Sequence, residues 1–221
     1  MEPIELSKQL LDDVRKGESH SDIIREIKEL DQDTLEKELD TDEKKKAFWI
    51  NFYNAESQLI VEEHPVLHRI KLVFSIPFSQ VAGKRLSLNK IEYGILRKSK
   101  NILGLRKHFE PEFEKRFRVD KVDPRIHFAL NCGSESCPAI RYYEPDKIDE
   151  QLDMATENYL AQEIEVEGDV IKVPKMFDWF DGDFGGVHGV REFLERYGYD
   201  DFDRIEYKQF RWSQNTRDFS N

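Results

Sequence analysis

Apolar residues in the N-terminal part of the chain recur at helical spacing. Ile4, Leu10, Leu11 and Val14 share one face and Gly17 follows them; Ile23, Ile24, Ile27 and Leu30, then Leu35 and Leu39, continue the pattern. Residues 3–39 are therefore predicted to form two charged helices, with a break at Asp31 to Asp33. Thr41 or Asp42 can cap a third, longer helix that stops at Pro65. Phe48, Trp49, Ile50, Phe52, Tyr53, Leu59 and Ile60 make that helix apolar around much of its circumference, the mark of a central element.

Beyond Pro65 the periodicity changes. KLVF at 71–74 reads as a short strand, Gly83 as a turn, and Ser87 as the start of a helix through Leu96. Residues 105–118 read as an aromatic, basic surface region interrupted by Pro111. RIHFALN at 125–131 alternates like a strand, burying Ile126, Phe128 and Leu130 and turning His127, Ala129 and Asn131 to the other face. An amphipathic helix is predicted over 146–162, a hairpin at 164–173 around Glu167-Gly168-Asp169, and a helix from Val190. A final strand runs to about Trp212. The expected fold class is α+β: a single compact domain with a small antiparallel or mixed sheet and several helices. Residues 1–40 form an N-terminal helical appendage to a domain over 41–221.

Composition narrows the function. At 221 residues and 38% hydrophobic content the chain can form a core without a metal or disulfide. A formal net charge of −11 argues against nucleic acid or an anionic membrane as partner, because those surfaces are bound by clustered Lys and Arg. No apolar run approaches bilayer length, and the N-terminus lacks the features of a secretory signal, so the expected location is cytoplasmic. The expected partner is a small molecule or peptide; no cofactor and no oligomeric state is indicated.

The chemistry concentrates in RIHFALNCGSESCP, residues 125–138. Pro138 suits the first position of a helix, which would make Cys137 its N-cap and favour the thiolate. Cys137 is therefore the first candidate nucleophile and Cys132 the second. His127 is the candidate base, with Glu92, Asn51 or Asn54 as its orienters. The Gly133 to Ser136 backbone would form an oxyanion site, and Asn131, Gly133, Ser134, Ser136 and Arg125 are candidate substrate contacts.

Other readings stand beside this one. The thiols can be buried structural residues, or a Cys132–Cys137 redox pair. His127, Cys132 and Cys137 offer three zinc ligands with no evident fourth, so no metal is expected. Asn51 and Asn54, three apart on one helix face, can simply brace a loop, and Glu92 can pair with Arg97 or Arg125. Asp178, Asp181 and Asp183 read as a helix cap and turn. His20, His64, His68, His108 and His188 read as surface or capping residues.

AFWINFYNA, LSLNKIEYGILR, DPRIHFALNCGSESCPAIRYY, FDWFDGDF and RWSQN together resemble the family catalogued as domain of unknown function 547, from about Lys46 to Asn215. DGDF stands where that family's pattern implies an uninterrupted acid pair, and RWSQN where it implies DWSLN. In some eukaryotic relatives the domain lies beside glutaredoxin-like modules, which implies thiol chemistry; in others it follows a coiled coil, which implies a non-catalytic binding module. The leading expectation is a cysteine-dependent hydrolase or acyl/peptide-transferring enzyme.

Overall fold

The computed structural model describes residues 1–99 and 111–220; the first six residues of the expected aromatic, basic surface region at 105–118 lie outside them. Three helices precede the central one: α1 (Pro3–Lys16), α2 (Ser21–Glu29) and α3 (Gln32–Glu38). Asp31, expected inside a break, caps α3 by accepting from the Thr34 amide at 2.9 Å. The segment therefore forms three helices rather than two. Thr41 caps α4 (Asp42–Glu63), its hydroxyl accepting from the Lys44 amide. Every residue from Lys45 to Gln58 of α4 is buried, as the absence of a polar stripe predicts. Leu6, Leu10, Leu11 and Val14 of α1 pack in the same core as Phe48, Trp49 and Phe52 of α4.

α5 (Pro65–Arg69) follows directly. Residues 71–74 form a short 3-10 turn, Leu72–Phe74, instead of the expected strand, because Lys71 adopts a left-handed φ of 61° that breaks extension. β1 (Ser79–Val81) and β2 (Lys84–Leu86) make an antiparallel ribbon. A π-helical segment, Lys90–Leu96, then carries Glu92 and ends at Arg97. π-helical turns are uncommon and cluster at functional sites. α6 (Glu112–Phe117) crosses this segment at Gly94, where a Cβ would come within 2.5 Å of the Glu114 side chain.

α7 (Ile148–Glu163) leads into a mixed three-stranded sheet of order β3-β4-β5. β3 (Glu165–Glu167) and β4 (Val170–Val173) form the expected hairpin, and β5 (Arg204–Tyr207) adds in parallel to β4. β5 ends five residues before Trp212, so the terminal strand is shorter than its alternation predicts. α8 (Met176–Trp179), α9 (Asp181–Phe184) and α10 (Gly186–Arg196) lie between β4 and β5. Phe128, Phe177, Phe193 and Leu194 form a second core on that side.

The segment at 125–131 is not a strand. Asp123 accepts from the Arg125 amide, Pro124 sets φ for a helical first turn, and Pro124–Phe128 closes as a 3-10 helix. Its tight pitch sends Ile126 into the first core and Phe128 into the second, with His127 between them. The loops beyond this turn are pinned by α4. Asn54 donates to the Ala129 carbonyl and accepts from the Asn131 amide, both at 2.9 Å, and Asn51 makes the same paired bonds with the Tyr143 backbone. Both asparagines brace loops, and neither bonds His127. Asn54→Ala leaves a buried amide and carbonyl unpaired, and is expected to lower the free energy of urea unfolding by about 2–3 kcal/mol.

Candidate functional site

Between the two cores lies a cavity of about 410 Å³. Tyr53, Glu92, His127, Cys132 and Cys137 line it, facing a wall of Tyr93, Trp179, Phe180, Phe210 and Trp212. The aromatic wall is continuous: Trp179, Phe210 and Trp212 have centroids 4.5 to 5.8 Å apart, and Lys71 Nζ sits 3.8 Å over the Trp212 ring. The site is thus largely apolar with a few convergent polar groups.

His127 is held by a residue read from sequence only as part of a turn. Its Nε2 lies 3.0 Å from Asp183 Oδ2, and its ring stacks on Phe180 at 4.1 Å. Arg97 donates through Nε to the same carboxylate oxygen, and the Arg97 and Asp183 side chains are wholly buried. The guanidinium also lies 4.6 Å over Phe180 and 5.0 Å over Tyr93, a cation–π arrangement. Burial pushes the Asp183 carboxyl up, but the bonds from His127 and Arg97 outweigh it and hold the group well below the usual carboxylate range. Burial in turn lowers His127, against the pull of Asp183. The result is a neutral imidazole beside an ion pair. An ionised Asp183 can only accept, so the neutral ring carries its proton on Nε2 and presents Nδ1 as an unprotonated base.

The loop after Phe128 sets the thiols. Gly133 has a φ of 76°, and a Cβ there would meet Val61 at 3.0 Å, so the turn requires glycine. Cys132 Sγ and Cys137 Sγ are 2.8 Å apart, and the Cys132 amide donates to Cys137 Sγ at 3.1 Å. Residues after Pro138 are extended, pairing through Ile140 with Phe219, so Cys137 caps no helix and gains no dipole. The helix expected there is excluded because Asn131 Nδ2 bonds the Pro138 carbonyl, and the Ile140 amide bonds the Asp218 carbonyl. The Cys137 hydrogen bond lowers Cys132, with help from Ser134 against burial; burial and the neighbouring sulfur push Cys137 well up. Cys132 is also the more exposed of the two.

Glu92 is raised to about 7. Burial is the main cause, Arg97 pulls it down, Asp183 pushes it up and the Tyr53 hydroxyl pulls it down. The other sequence candidates have structural roles. Arg125 is engaged by Asp123, Asp149 and Asp153, outside the cavity wall. Asn131 is tied to Gln58, Gly133 and Pro138, and the Ser136 hydroxyl accepts from the Arg211 amide. The amides of Gly133, Glu135 and Ser136 already donate to Asn131, Ser213 and Arg211, while the Ser134 amide lies against the Cys132 thiol. His68, expected at the surface, is buried, with Nε2 3.1 Å from Ser134 Oγ. His108 lies outside the described residues.

An α+β domain with a carboxylate-bound imidazole and a close thiol pair on one cavity defines the class. The chain belongs to the family described as "Protein of unknown function, DUF547", whose model matches residues 37–160, more than half of the chain. That stretch contains Glu92, His127 and both cysteines but ends before Asp183. No curated protein and no solved structure matches the chain. Among the described residues, no helix is long and apolar enough to cross a membrane.

The Glu92 shift has a sign in stability. Below pH about 4.5 both folded and unfolded states hold the proton and the residue contributes nothing. Between there and about 7 the unfolded chain ionises while the folded one resists, so folding weakens as pH rises. Glu92→Gln is expected to stabilise the protein by about 2 kcal/mol at pH 8 and by nothing near pH 4, read from urea midpoints across pH.

Proposed function

We propose that this protein is a cysteine-dependent hydrolase or acyl/peptide-transferring enzyme, with Cys132 as its nucleophile. The observation that carries the reading is the Asp183-bound imidazole and the lowered Cys132 thiol on one cavity wall. Cys132 displaces Cys137 as first choice because the latter is buried and has no helix dipole to stabilise a thiolate.

In the proposed sequence the Cys132 thiolate attacks an acyl carbon and forms a thioester. Tyr93, kept protonated by burial, is the cavity's hydroxyl donor to the developing oxyanion, the Tyr53 hydroxyl being engaged by Glu92. Glu92, about half protonated near neutral pH, gives its proton to the departing group as the carbon–heteroatom bond breaks. Water or an acceptor nucleophile then attacks the thioester, losing its proton to His127 Nδ1. The thiolate leaves, and the proton returns from His127 to Glu92. The aromatic wall favours acyl donors with a large apolar group.

The 2.8 Å sulfur–sulfur approach favours a second reading, thiol–disulfide exchange. A disulfide substrate would accept two electrons from the pair, closing Cys132–Cys137 and leaving two thiols. Mass spectrometry in glutathione buffers of graded potential reads this as a two-hydrogen loss.

Hydrolysis of p-nitrophenyl esters of N-acylated phenylalanine tests the main reading. The expected results are a burst of one nitrophenolate per chain and a mass increase at Cys132. Cys132→Ala should cost more than about 10³-fold, and His127→Gln about 10²–10³-fold. With the corresponding p-nitroanilide, whose departing amine must be protonated, wild-type kcat/KM should fall above pH about 7 as Glu92 ionises. Full activity in Cys132→Ala would refute the assignment.

A further inference from the structure

His127 is not the imidazole that reaches the thiol. Among the described residues no hydrogen bond joins it to either sulfur, and its Nε2 is taken by Asp183. A different histidine is connected. Cys132 Sγ is 3.5 Å from Ser134 Oγ, and Ser134 Oγ is 3.1 Å from His68 Nε2. His68 and Ser134 are 2% and 1% exposed, so the path is shielded from bulk water behind the half-buried Cys132. Each link has a structural cause. The 3-10 turn after α5 seats Phe74 against the His68 ring, with centroids 5.7 Å apart. Ser134 is fixed by its pairing with Gln214 and by its carbonyl accepting from the Cys137 amide.

Resting on the reading of Cys132 as nucleophile, we propose that His68, acting through the Ser134 hydroxyl, takes the Cys132 proton and holds the thiolate. The thiol proton passes to Ser134 Oγ while the Ser134 proton passes to His68 Nε2. One proton leaves sulfur, one reaches nitrogen, and the serine is unchanged. The thiolate then accepts from the serine hydroxyl, which accepts from the imidazolium. Burial lowers His68 on balance, and the Cys132 backbone beside the ring offsets only part of that, so the relay rests on the hydrogen-bonded path from Cys132 through Ser134 to His68. The labour divides between two imidazoles. His68 prepares the nucleophile, and His127, held by Asp183, acts on water or the acceptor. His68 and Ser134 are thus positioning residues for the thiol, not groups that touch substrate.

Other titratable groups act on these sulfurs. Cys137 and Glu92 act on Cys132, which in turn influences Tyr53, Tyr93 and Tyr159; His68 itself faces Ser134 and Phe74. None of these changes in His68→Gln, which keeps a neutral side chain of similar reach.

The test is the pH dependence of Cys132 alkylation by iodoacetamide in the intact chain, with the site of the first adduct located by peptide fragmentation. Wild-type Cys132 should react at pH 6, ahead of Cys137. His68→Gln and Ser134→Ala should each move the alkylation midpoint up by about one unit and slow the reaction at pH 6 by about tenfold. The double variant should be no slower than either single one, and Ser134→Thr, which keeps the hydroxyl, should restore the wild-type midpoint. Circular dichroism separates these shifts from loss of fold. A midpoint unmoved by His68→Gln, or one that follows His127→Gln instead, overturns the relay while leaving Cys132 as nucleophile. Failure of Cys132 to react in the wild type overturns both.

Discussion

Arg97, Asp183 and His127 form the contact on which the rest of the site depends. The three side chains come from the end of the π-helical segment, from α9 and from the 3-10 turn, and they meet between two cores. Burying a carboxylate costs several kcal/mol unless its lone pairs are met, and here a guanidinium and an imidazole both point at one oxygen. Removing either partner leaves an under-compensated buried charge, a change that typically costs about 3–5 kcal/mol. The cluster therefore does two things. It ties the α8–α10 region to the Lys90–Arg97 segment, and it fixes which nitrogen of His127 carries a proton.

That constraint propagates to the other titratable groups. Glu92, the carboxylate that lines the cavity, rises to about 7 mainly through burial, while Arg97 pulls it down and Asp183 pushes it up. Two carboxylates of the same chain thus stand on opposite sides of their usual range, the arrangement that lets one site hold an acid and an ionised orienter together. The thiols are separated by a similar effect. One sulfur donates to the other, so Cys132 is favoured as thiolate at the expense of Cys137.

Much of the framework was legible in the sequence because it rests on local signals. Thr41 as a cap, the all-round apolarity of α4, and the hairpin at Glu167-Gly168-Asp169 each have a short-range cause, and each formed as expected. The 125–131 segment did not, because its alternation served two cores on either side of a 3-10 turn instead of two faces of a sheet. His127, Cys132 and Cys137 were marked by residue type within a few positions of one another, and they do share a cavity. Asp183 and His68 were not marked. Their partners lie 56 and 66 residues away in the chain, and neither has a neighbouring motif that distinguishes it from a capping acid or a surface histidine. Only the run of aromatics around Asp183, FDWFDGDF, hinted that this acid faces an apolar interior.

The state of His127 is measured most directly by the side-chain ¹H–¹⁵N spectrum of the histidines, recorded from pH 5 to 8 with His127 assigned by substitution. The geometry requires a neutral His127 ring at pH 7, protonated on Nε2 and titrating below free imidazole. A ring that is protonated on Nδ1, or is an imidazolium at pH 7, would contradict it.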